Sequence, residues 1–224
     1  DQLVKTGQRM QFIDLGAQRA RIAERLKAAI DRVVDGGKYI LGPEVGEFER
    51  QLAAYVGVKH VVGCANGTDA LLLPLLASGI GPGDAVFVPS FTFAATAEVV
   101  ALAHAEPIFV DVEPDTDNID LKSLGEAIAM IRQEGRLTPK AIIPVDLFGI
   151  AADYSRIDAI AARENLLVIE DAAQSIGGKA GNRFCGALGT VGAASFYPAK
   201  PLGCYGDGGA MFTNDDALAE KLRS

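Results

Sequence analysis

The residues best suited to chemistry lie in the stretch 195–210, which reads S-F-Y-P-A-K-P-L-G-C-Y-G-D-G-G-A. It contains a single lysine, Lys200, between Pro198 and Pro201. Because proline fixes its own φ and disfavours helix in the residue before it, Lys200 is expected on a stiff, non-helical segment. A desolvated lysine can lose its proton and form a Schiff base. The same pattern also fits a surface loop that contains a lysine, because most lysines are solvated.

Four glycines follow this lysine within ten residues. They are Gly203, Gly206, Gly208 and Gly209. Because glycine has no Cβ, this spacing predicts that the backbone here passes close to something bulky.

The elements that must position Lys200 alternate along the chain. Short apolar, β-branched runs predict strands at 60–64, 85–89, 107–112, 141–145, 166–170, 193–196 and 210–213. Helical spacing predicts helices at 20–34, 45–56, 69–77, 94–103, 121–131 and 155–163, the first of them ending at Gly36-Gly37. This alternation predicts an α/β domain with a mostly parallel seven-stranded sheet and helices on both faces. Ligands of such sheets bind beyond the carboxyl ends of the strands.

A turn at 66–69, Asn-Gly-Thr-Asp, leads from the first strand into a helix. Free N–H groups and the helix dipole at such an N-terminus favour a phosphate group. The same residues are also those of an ordinary N-cap, so both interpretations stay open. Ser195, at the end of a later strand, could add a hydroxyl contact.

Polar and aromatic side chains follow the other strands. Asp171 directly follows a buried strand, where a carboxylate is costly unless it meets a cation such as a pyridinium nitrogen. Gln174 can donate an amide N–H to a phenolate oxygen, and Phe91 and Phe93 offer an aromatic face, although phenylalanine is more often a core residue. Together with a phosphate cradle and an imine-forming lysine, these are the parts of a pyridoxal-phosphate site.

These motifs carry a resemblance to a known family. The chain resembles the DegT/DnrJ/EryC1/StrS sugar aminotransferases from about Phe12 to its last residue. The matching motifs are Y-I-L-G-P-E-V at 39–45, A-N-G-T-D-A-L at 65–71, P-S-F-T-F-A-A-T-A-E at 89–98, I-E-D-A-A-Q-S at 169–175, and S-F-Y-P-A-K-P-L-G-C-Y-G-D-G-G-A-M-F-T-N-D at 195–215. The resemblance implies the three-layer large domain of the type I pyridoxal-phosphate fold.

The resemblance also implies a role for each site residue. Lys200 would form the Schiff base with pyridoxal 5′-phosphate, and Asp171 would pair with the pyridine nitrogen. Gln174 would contact the ring oxygen and Phe93 would stack on the ring. The implied cofactor-binding residues near the phosphate are Gly67, Thr68, Asp69 and Ser195. No metal ligand set is expected.

The implied reaction moves the amino group of L-glutamate to C3 of a nucleotide-linked 3-keto sugar. The G-D-G-G-A sequence at 206–210 is similar to the branch that acts on UDP-2-acetamido-2-deoxy-3-oxo-glucuronate, for surface polysaccharide. The alternatives are a dTDP- or GDP-linked 3-keto or 4-keto deoxysugar, or a non-catalytic fragment. Dehydratases of the family have histidine where this chain has Lys200, which argues against that activity. The expected partner is a second copy of the chain, with active sites at the dimer interface.

The ends of the chain depart from the family pattern. Residues 1–11 are expected to be a leader or a disordered N-terminus. Residues 12–224 are expected to be a large domain that stops before the C-terminal small domain, which is expected to be absent.

Composition and the motifs that are absent disfavour several other classes of function. A net charge of −8 disfavours nucleic acid and anionic membranes as partners. Three widely spaced cysteines predict neither a disulfide framework nor a zinc site, and favour a cytoplasmic location. No apolar run reaches the roughly 18 residues of a membrane span. No G-x-G-x-x-G joins a strand to a helix, so NAD binding is disfavoured.

Overall fold

A computed structural model of the protein describes residues 13–224. The chain divides into two compact units, one ending at Glu44 and the other formed by Val45–Ser224. The leader predicted at residues 1–11 lies outside the described residues. The domain boundaries predicted from the sequence stay a prediction.

The first unit contains helix α1, Leu15–Gly36, which is longer at both ends than the predicted helix. Asp14 caps it by accepting a hydrogen bond from the Ala17 N–H at 2.8 Å. It ends as the sequence predicts, because Gly37 takes the left-handed conformation with a φ of 65°. Helix α2, Pro43–Val56, begins in this unit and continues into the second.

The second unit holds the remaining elements. Its other helices are α3 Gly67–Ala77, α4 Ala95–Leu102, α5 Leu121–Glu134, α6 Tyr154–Glu164 and α7 Asp216–Arg223. Its strands are β1 His60–Cys64, β2 Asp84–Pro89, β3 Glu106–Val110, β4 Thr138–Ile142, β5 Leu167–Asp171, β6 Lys179–Ala180, β7 Arg183–Phe184, β8 Val191–Ser195 and β9 Gly209–Thr213. Each predicted strand is present, usually with bounds shifted by one to three residues.

Seven of these strands form one sheet in the order β1-β9-β8-β5-β4-β2-β3. The strands from β8 to β3 pair in parallel, whereas β9 is antiparallel to both β1 and β8. The mostly parallel sheet predicted from the sequence is thereby confirmed. The two-residue strands β6 and β7 form a separate hairpin that the sequence analysis missed.

Helices cover both faces of this sheet, as side-chain alternation along β2 illustrates. Val86 and Val88 pack in a cluster with residues of α3 and α4. Ala85 and Phe87 point the other way, into a cluster with residues of α5 and α6. All four are fully buried. A strand buried on both faces is nearly continuous in apolar residues. For this reason the strands could be predicted from apolar runs in the sequence.

Strand β4 ends at Ile142 rather than at the predicted Val145. Pro144 has no N–H to donate to a neighbouring strand. Its carbonyl still accepts the Asp171 N–H at 2.9 Å, and Val145 forms an isolated bridge to Asp171. The chain therefore leaves the ladder early but stays beside the end of β5.

All three cysteines are free thiols. Within residues 13–224, the helices are too short or too polar to cross a bilayer.

Candidate active site

One cavity collects the side chains singled out in the sequence. It has a volume of about 1090 Å³ and lies beyond the carboxyl ends of the parallel strands. Its lining includes every predicted site residue, namely Gly67, Thr68, Asp69, Phe93, Asp171, Gln174, Ser195 and Lys200. Small-molecule sites commonly have volumes of about 300–1,000 Å³, so this cavity is large enough for a cofactor together with part of a substrate.

Lys200 follows β8 on a turn rather than on a helix, as its flanking prolines predict. Its backbone N–H donates to the Tyr197 carbonyl at 2.8 Å, which fixes the turn. The side chain is half-buried, and it makes no ion pair with any residue from 13 to 224. The amine is therefore placed at the cavity without a competing partner.

The glycines after Lys200 correct one expectation. A Cβ on Gly203 would lie 2.3 Å from the Pro198 carbonyl oxygen, and one on Gly209 would lie 2.2 Å from the Asn66 carbonyl oxygen. By contrast, a Cβ on Gly206 would meet nothing within 4 Å. The close approaches are therefore to the protein's own backbone. Gly203 lets the lysine loop fold back against Pro198, and Gly209 lets the start of β9 approach the turn before α3.

Asp171, at the end of β5, is 5% exposed. Its carboxylate accepts hydrogen bonds from the Thr96 hydroxyl at 3.0 Å and from the Ala173 N–H at 3.1 Å. Burial raises the pKa of Asp171 above its usual value, while these two donors and the nearby charge of Lys200 act in the opposite direction. A cation placed against this carboxylate would keep it ionised.

Thr96 is a contact that the sequence analysis did not single out. It lies in the first turn of α4, is fully buried, and joins Thr92 to Asp171 through hydroxyl hydrogen bonds. The threonines at 92 and 96 both occur in the motif P-S-F-T-F-A-A-T-A-E. Their helical spacing after a strand was the available signal, but it did not reveal the partner.

The N-terminus of α3 faces the same cavity. The Asn66 side chain caps it by accepting the Asp69 N–H at 2.8 Å, so the ordinary N-cap interpretation holds for that residue. Within the described chain, the N–H groups of Gly67 and Thr68 have no protein acceptor. They stay available to an anion. A Cβ at Gly67 would lie 2.6 Å from the Ser195 Cβ, so glycine brings Ser195 against this turn.

Gln174 lies in the turn after β5, not in a helix. Its Oε1 accepts the Phe148 N–H at 2.8 Å, which leaves the Nε2 group free to donate elsewhere. Phe148 has a φ of 56°, a left-handed conformation that is uncommon for a residue other than glycine. This local strain orients the amide of a cavity residue, and backbone strain of this kind clusters at functional sites.

Phe93 and Phe148 line the cavity, and Phe91 lies outside this lining, next to Phe148. Phe93 is 70% exposed and Phe91 is 50% exposed, so neither is a core residue. The Phe91 and Phe148 rings approach edge to face with centroids 6.5 Å apart. An exposed aromatic surface beside a cavity is available for stacking on a flat ring.

These residues fit pyridoxal phosphate. Among the described residues lining the cavity, Lys200 is the only basic one, so a phosphate group would depend mainly on the free N–H groups of α3. The buried Asp171 lacks a cationic hydrogen-bond partner, which a protonated ring nitrogen would supply. Lys200 is then the amine available for covalent attachment.

The fold and the cavity together define a class. A mostly parallel sheet with helices on both faces, and with a lysine and a buried carboxylate at its carboxyl edge, is the large-domain fold of the pyridoxal-phosphate aminotransferases. Within this class, the chain belongs to the DegT/DnrJ/EryC1/StrS aminotransferase family, whose model matches residues 20–224. The resemblance predicted from the motifs is confirmed.

Individual relatives agree with this assignment. The chain is 53% identical over 217 residues to a UDP-2-acetamido-2-deoxy-3-oxo-D-glucuronate aminotransferase of Pseudomonas aeruginosa. That match covers 96% of this chain and 58% of the relative. The chain thus spans little more than half the length of this curated relative.

Solved structures give the same result. A DegT/DnrJ/EryC1/StrS aminotransferase from Brucella abortus superposes with a TM-score of 0.95 at 72% identity, covering 96% of this chain and 58% of that one. NtdA from Bacillus subtilis, solved with bound cofactor PMP, superposes with a TM-score of 0.84 at 34% identity, covering 96% and 47% of the two chains.

Proposed function

We propose that this chain is the cofactor-binding part of a pyridoxal-phosphate-dependent sugar aminotransferase. Its reaction would move the amino group of L-glutamate to C3 of a nucleotide-linked 3-keto sugar. The observation that carries the proposal is the shared cavity of Lys200, Asp171 and the free N–H groups of α3.

The proposed roles follow from the contacts of each residue. Asp171 holds a proton on the ring nitrogen, since it is buried and is itself oriented by Thr96. Gln174 donates from Nε2 to the ring oxygen, because its Oε1 is occupied by the Phe148 N–H. Phe93 stacks on the ring from the rim of the cavity.

The proposed phosphate site uses backbone and hydroxyl groups. The N–H groups of Gly67 and Thr68 donate to it, and Ser195 lies against Gly67. Asp69 contributes through its place in the first turn of α3, where its N–H is capped by Asn66. This arrangement binds an anion although the chain as a whole carries a net charge of −8.

Bound pyridoxal phosphate would supply a reactive aldehyde and an electron-accepting ring. Lys200 would attach the cofactor through Nζ and, once displaced by the amino donor, would carry a proton away from the donor's α-carbon. The Asp171 carboxylate would keep the ring nitrogen protonated throughout.

The sugar is proposed to be UDP-2-acetamido-2-deoxy-3-oxo-glucuronate, for the synthesis of a surface polysaccharide. This rests on the name of the Pseudomonas aeruginosa relative and on its 53% identity. Glutamate as donor and a homodimer with active sites at the interface are part of the same proposal.

Covalent attachment tests the central claim. Incubation with pyridoxal phosphate followed by borohydride reduction should label one peptide, located by mass spectrometry to Lys200. Lys200→Ala should lose this label and the visible absorbance, whereas Lys140→Ala, an exposed lysine on β4, should keep both. Attachment that survives in Lys200→Ala would refute the assignment.

The substrate needs a separate test. Protein loaded with pyridoxamine phosphate is mixed with UDP-, dTDP- and GDP-linked 3-keto or 4-keto sugars, and recovery of the aldehyde spectrum is followed. The expected response is to a UDP-linked 3-keto sugar. A response only to a sugar linked to another nucleotide, or only to a 4-keto sugar, would replace the proposed substrate by that sugar. A sample that takes up no cofactor would favour a non-catalytic fragment.

A further inference from the structure

A second group of reactive side chains lies behind the cavity. Asp146, Glu170 and Cys185 are buried, and one carboxyl oxygen from each acid and the thiol sulfur lie within 4.8 Å of one another. Asp146 and Glu170 are both fully buried, with an exposed fraction of 0%. None of the three residues lines the cavity, so the proposed reaction leaves them without a role.

Glu170 binds the loop between β7 and β8. Its Oε1 accepts the Gly186 N–H at 2.5 Å, and its Oε2 accepts the N–H groups of Leu188 at 2.6 Å and Gly189 at 3.2 Å. This carboxyl group therefore fixes the chain where it turns towards β8, the strand that leads to Lys200.

Asp146 holds two other segments of the chain. Its Oδ1 accepts the Ala152 N–H at 3.1 Å and the Tyr154 hydroxyl at 3.0 Å. Its Oδ2 accepts the Ser175 hydroxyl at 3.1 Å. The start of α6 and the turn that contains Gln174 are thus held by the same carboxylate.

No cation balances these two acids within residues 13–224, because neither takes part in a salt bridge there. The ionisable and polar groups facing them are the Tyr154 hydroxyl, the Cys185 thiol, the Ser175 hydroxyl and the Asp171 carboxyl. Two unbalanced carboxylates within 4.8 Å of each other inside a protein repel strongly, and sharing one proton relieves this repulsion.

We propose that Asp146 and Glu170 share one proton at neutral pH and act as positioning residues for the cavity. The pair holds the ends of the segments that carry Asp171, Gln174 and Phe148. This role builds on the proposed function of those residues, although the shared proton itself does not depend on any cofactor.

The backbone links the pair directly to the cavity. The Asp146 N–H donates to the Asp171 carbonyl at 3.0 Å, and the Asp171 N–H donates to the Pro144 carbonyl at 2.9 Å. Glu170 precedes Asp171 in β5, and Ser175 follows Gln174. A displacement of either carboxyl group would therefore move the backbone of the residues proposed to contact the cofactor ring.

Of the two acids, Glu170 is expected to carry the shared proton, because the rise in its pKa is the larger effect although backbone N–H groups from Gly186 and Leu188 oppose it. Burial and then the nearby Asp146 charge raise the pKa of Glu170 to about 8. Burial also raises the pKa of Asp146, but hydrogen bonds from the Ala152 N–H and from the Tyr154 and Ser175 hydroxyls oppose this and favour its ionised form. Glu170 is thus the acid expected to be protonated at neutral pH, and Asp146 the acid expected to be ionised. Pairs coupled in this way titrate as a unit.

Asp146, Glu170 and Cys185 are residue types that could bind a metal ion, but their contacts favour a shared proton over a bound metal. Each carboxyl group already accepts three hydrogen bonds from the protein. Burial raises the pKa of the Cys185 thiol to about 12, whereas a metal ligand would have to be the thiolate.

Carboxyl ¹³C NMR on protein labelled at glutamate tests the shared proton. In the unmodified chain, one glutamate should titrate near pH 8. In Asp146→Asn the carboxamide can donate to Glu170, so this glutamate should ionise well below neutral pH. Asp115→Asn, an exposed acid on the loop before α5, should leave the titration unchanged.

Amide hydrogen exchange on the same samples tests the positioning role. After correction for intrinsic rates, protection of residues 144–149 and 170–176 should fall above pH 8 in the unmodified chain and in Asp115→Asn. It should stay constant in Asp146→Asn. A merely structural role for the pair would give no such difference in pH dependence.

Three outcomes would overturn the proposal. The first is the absence of any glutamate titrating above pH 6.5 in the unmodified chain, a result that needs no variant to fold. The second is an unchanged titration in folded Asp146→Asn. The third is a stoichiometric metal ion that is lost in that variant. Cofactor attachment to Lys200 is measured separately, so failure here and failure of the proposed function are distinguishable.

Discussion

At the scale of single residues, Asp171 depends on a hydroxyl donor from a distant part of the chain. Thr96→Val keeps the shape of the side chain but removes the hydrogen bond to the Asp171 carboxylate. The pKa of Asp171 should then rise further, because one of the donors that oppose its burial is gone. We expect pyridoxal phosphate to bind at least about tenfold more weakly, since a hydrogen bond to a charged group contributes about 1.5–3 kcal/mol.

Equilibrium titration of the variant with pyridoxal phosphate, followed by absorbance at several pH values, measures this effect. Thr138→Val is the matched control, because Thr138 is exposed on β4 and its hydroxyl makes no hydrogen bond to the described residues. Affinity that stays at the unmodified level in Thr96→Val across the pH range would contradict the role given to Thr96.

Single residues differ in how far the sequence could predict them. Lys200 could be predicted as a site residue because prolines flank it. Asp171 could be predicted because an apolar strand precedes it. Thr96 was not, since its bond to Asp171 joins residues 75 positions apart. The left-handed conformation of Phe148 could not be predicted either, because it is stabilised by contacts around the residue rather than by a glycine at that position.

At the scale of elements, Glu49 on α2 connects three parts of the second unit. Its side chain is 11% exposed, accepts the Gly63 N–H of β1 at 2.8 Å, and pairs with Arg223 of α7 at 3.0 Å. Glu49→Ala leaves both donors without this acceptor. We expect it to lower the free energy of unfolding by about 1–3 kcal/mol.

Urea unfolding at fixed pH measures the loss. Glu47→Ala on the same helix is the control, because Glu47 is exposed and pairs only with Arg50 and Gln51 nearby on α2. This control should unfold at nearly the same urea concentration as the unmodified chain. Equal midpoints for all three proteins would mean that Glu49 does not stabilise the contact between these elements.

Element bounds were predictable where a local signal marks them. Gly37 ends α1 and Asn66 begins α3, and both positions are visible as helix-capping residues in the sequence. The end of β4 was misjudged because its apolar run continues to Val145 while Pro144 interrupts the ladder. The hairpin of β6 and β7 is too short to give a periodic signal.

At the scale of the whole molecule, the sequence predicted the class of sheet but not its order. Continuous apolar strands indicate burial on both faces, which the two helix-covered clusters confirm. Nothing local indicates that β9 lies between β1 and β8, antiparallel to both. That placement depends on pairing across about 150 residues, as in His60 with Thr213. It is also what brings the turn after β1 against the lysine loop.

The buried acids make the stability of the whole fold depend on pH. Burial raises the pKa of Asp146, Glu170 and Asp171, that of Glu170 to about 8. In the unfolded chain such groups ionise near pH 4, so above that pH the folded chain binds more protons than the unfolded one. The free energy of unfolding should therefore fall as pH rises from 5 to 8, and should level off above the pKa of Glu170.

Each retained proton changes the unfolding equilibrium constant by about tenfold per pH unit in this window. Exposed carboxyls whose pKa is lowered by hydrogen-bond donors, such as Asp153 and Asp216, contribute stability that is lost only on acidification below pH 4, so they do not mask the trend. Urea unfolding at pH 5, 6, 7 and 8 measures the slope, and Asp146→Asn should flatten it. A free energy of unfolding that rises towards pH 8 would contradict this prediction. It would mean that Asp146 and Glu170 are both ionised in the folded chain and are balanced by a cation.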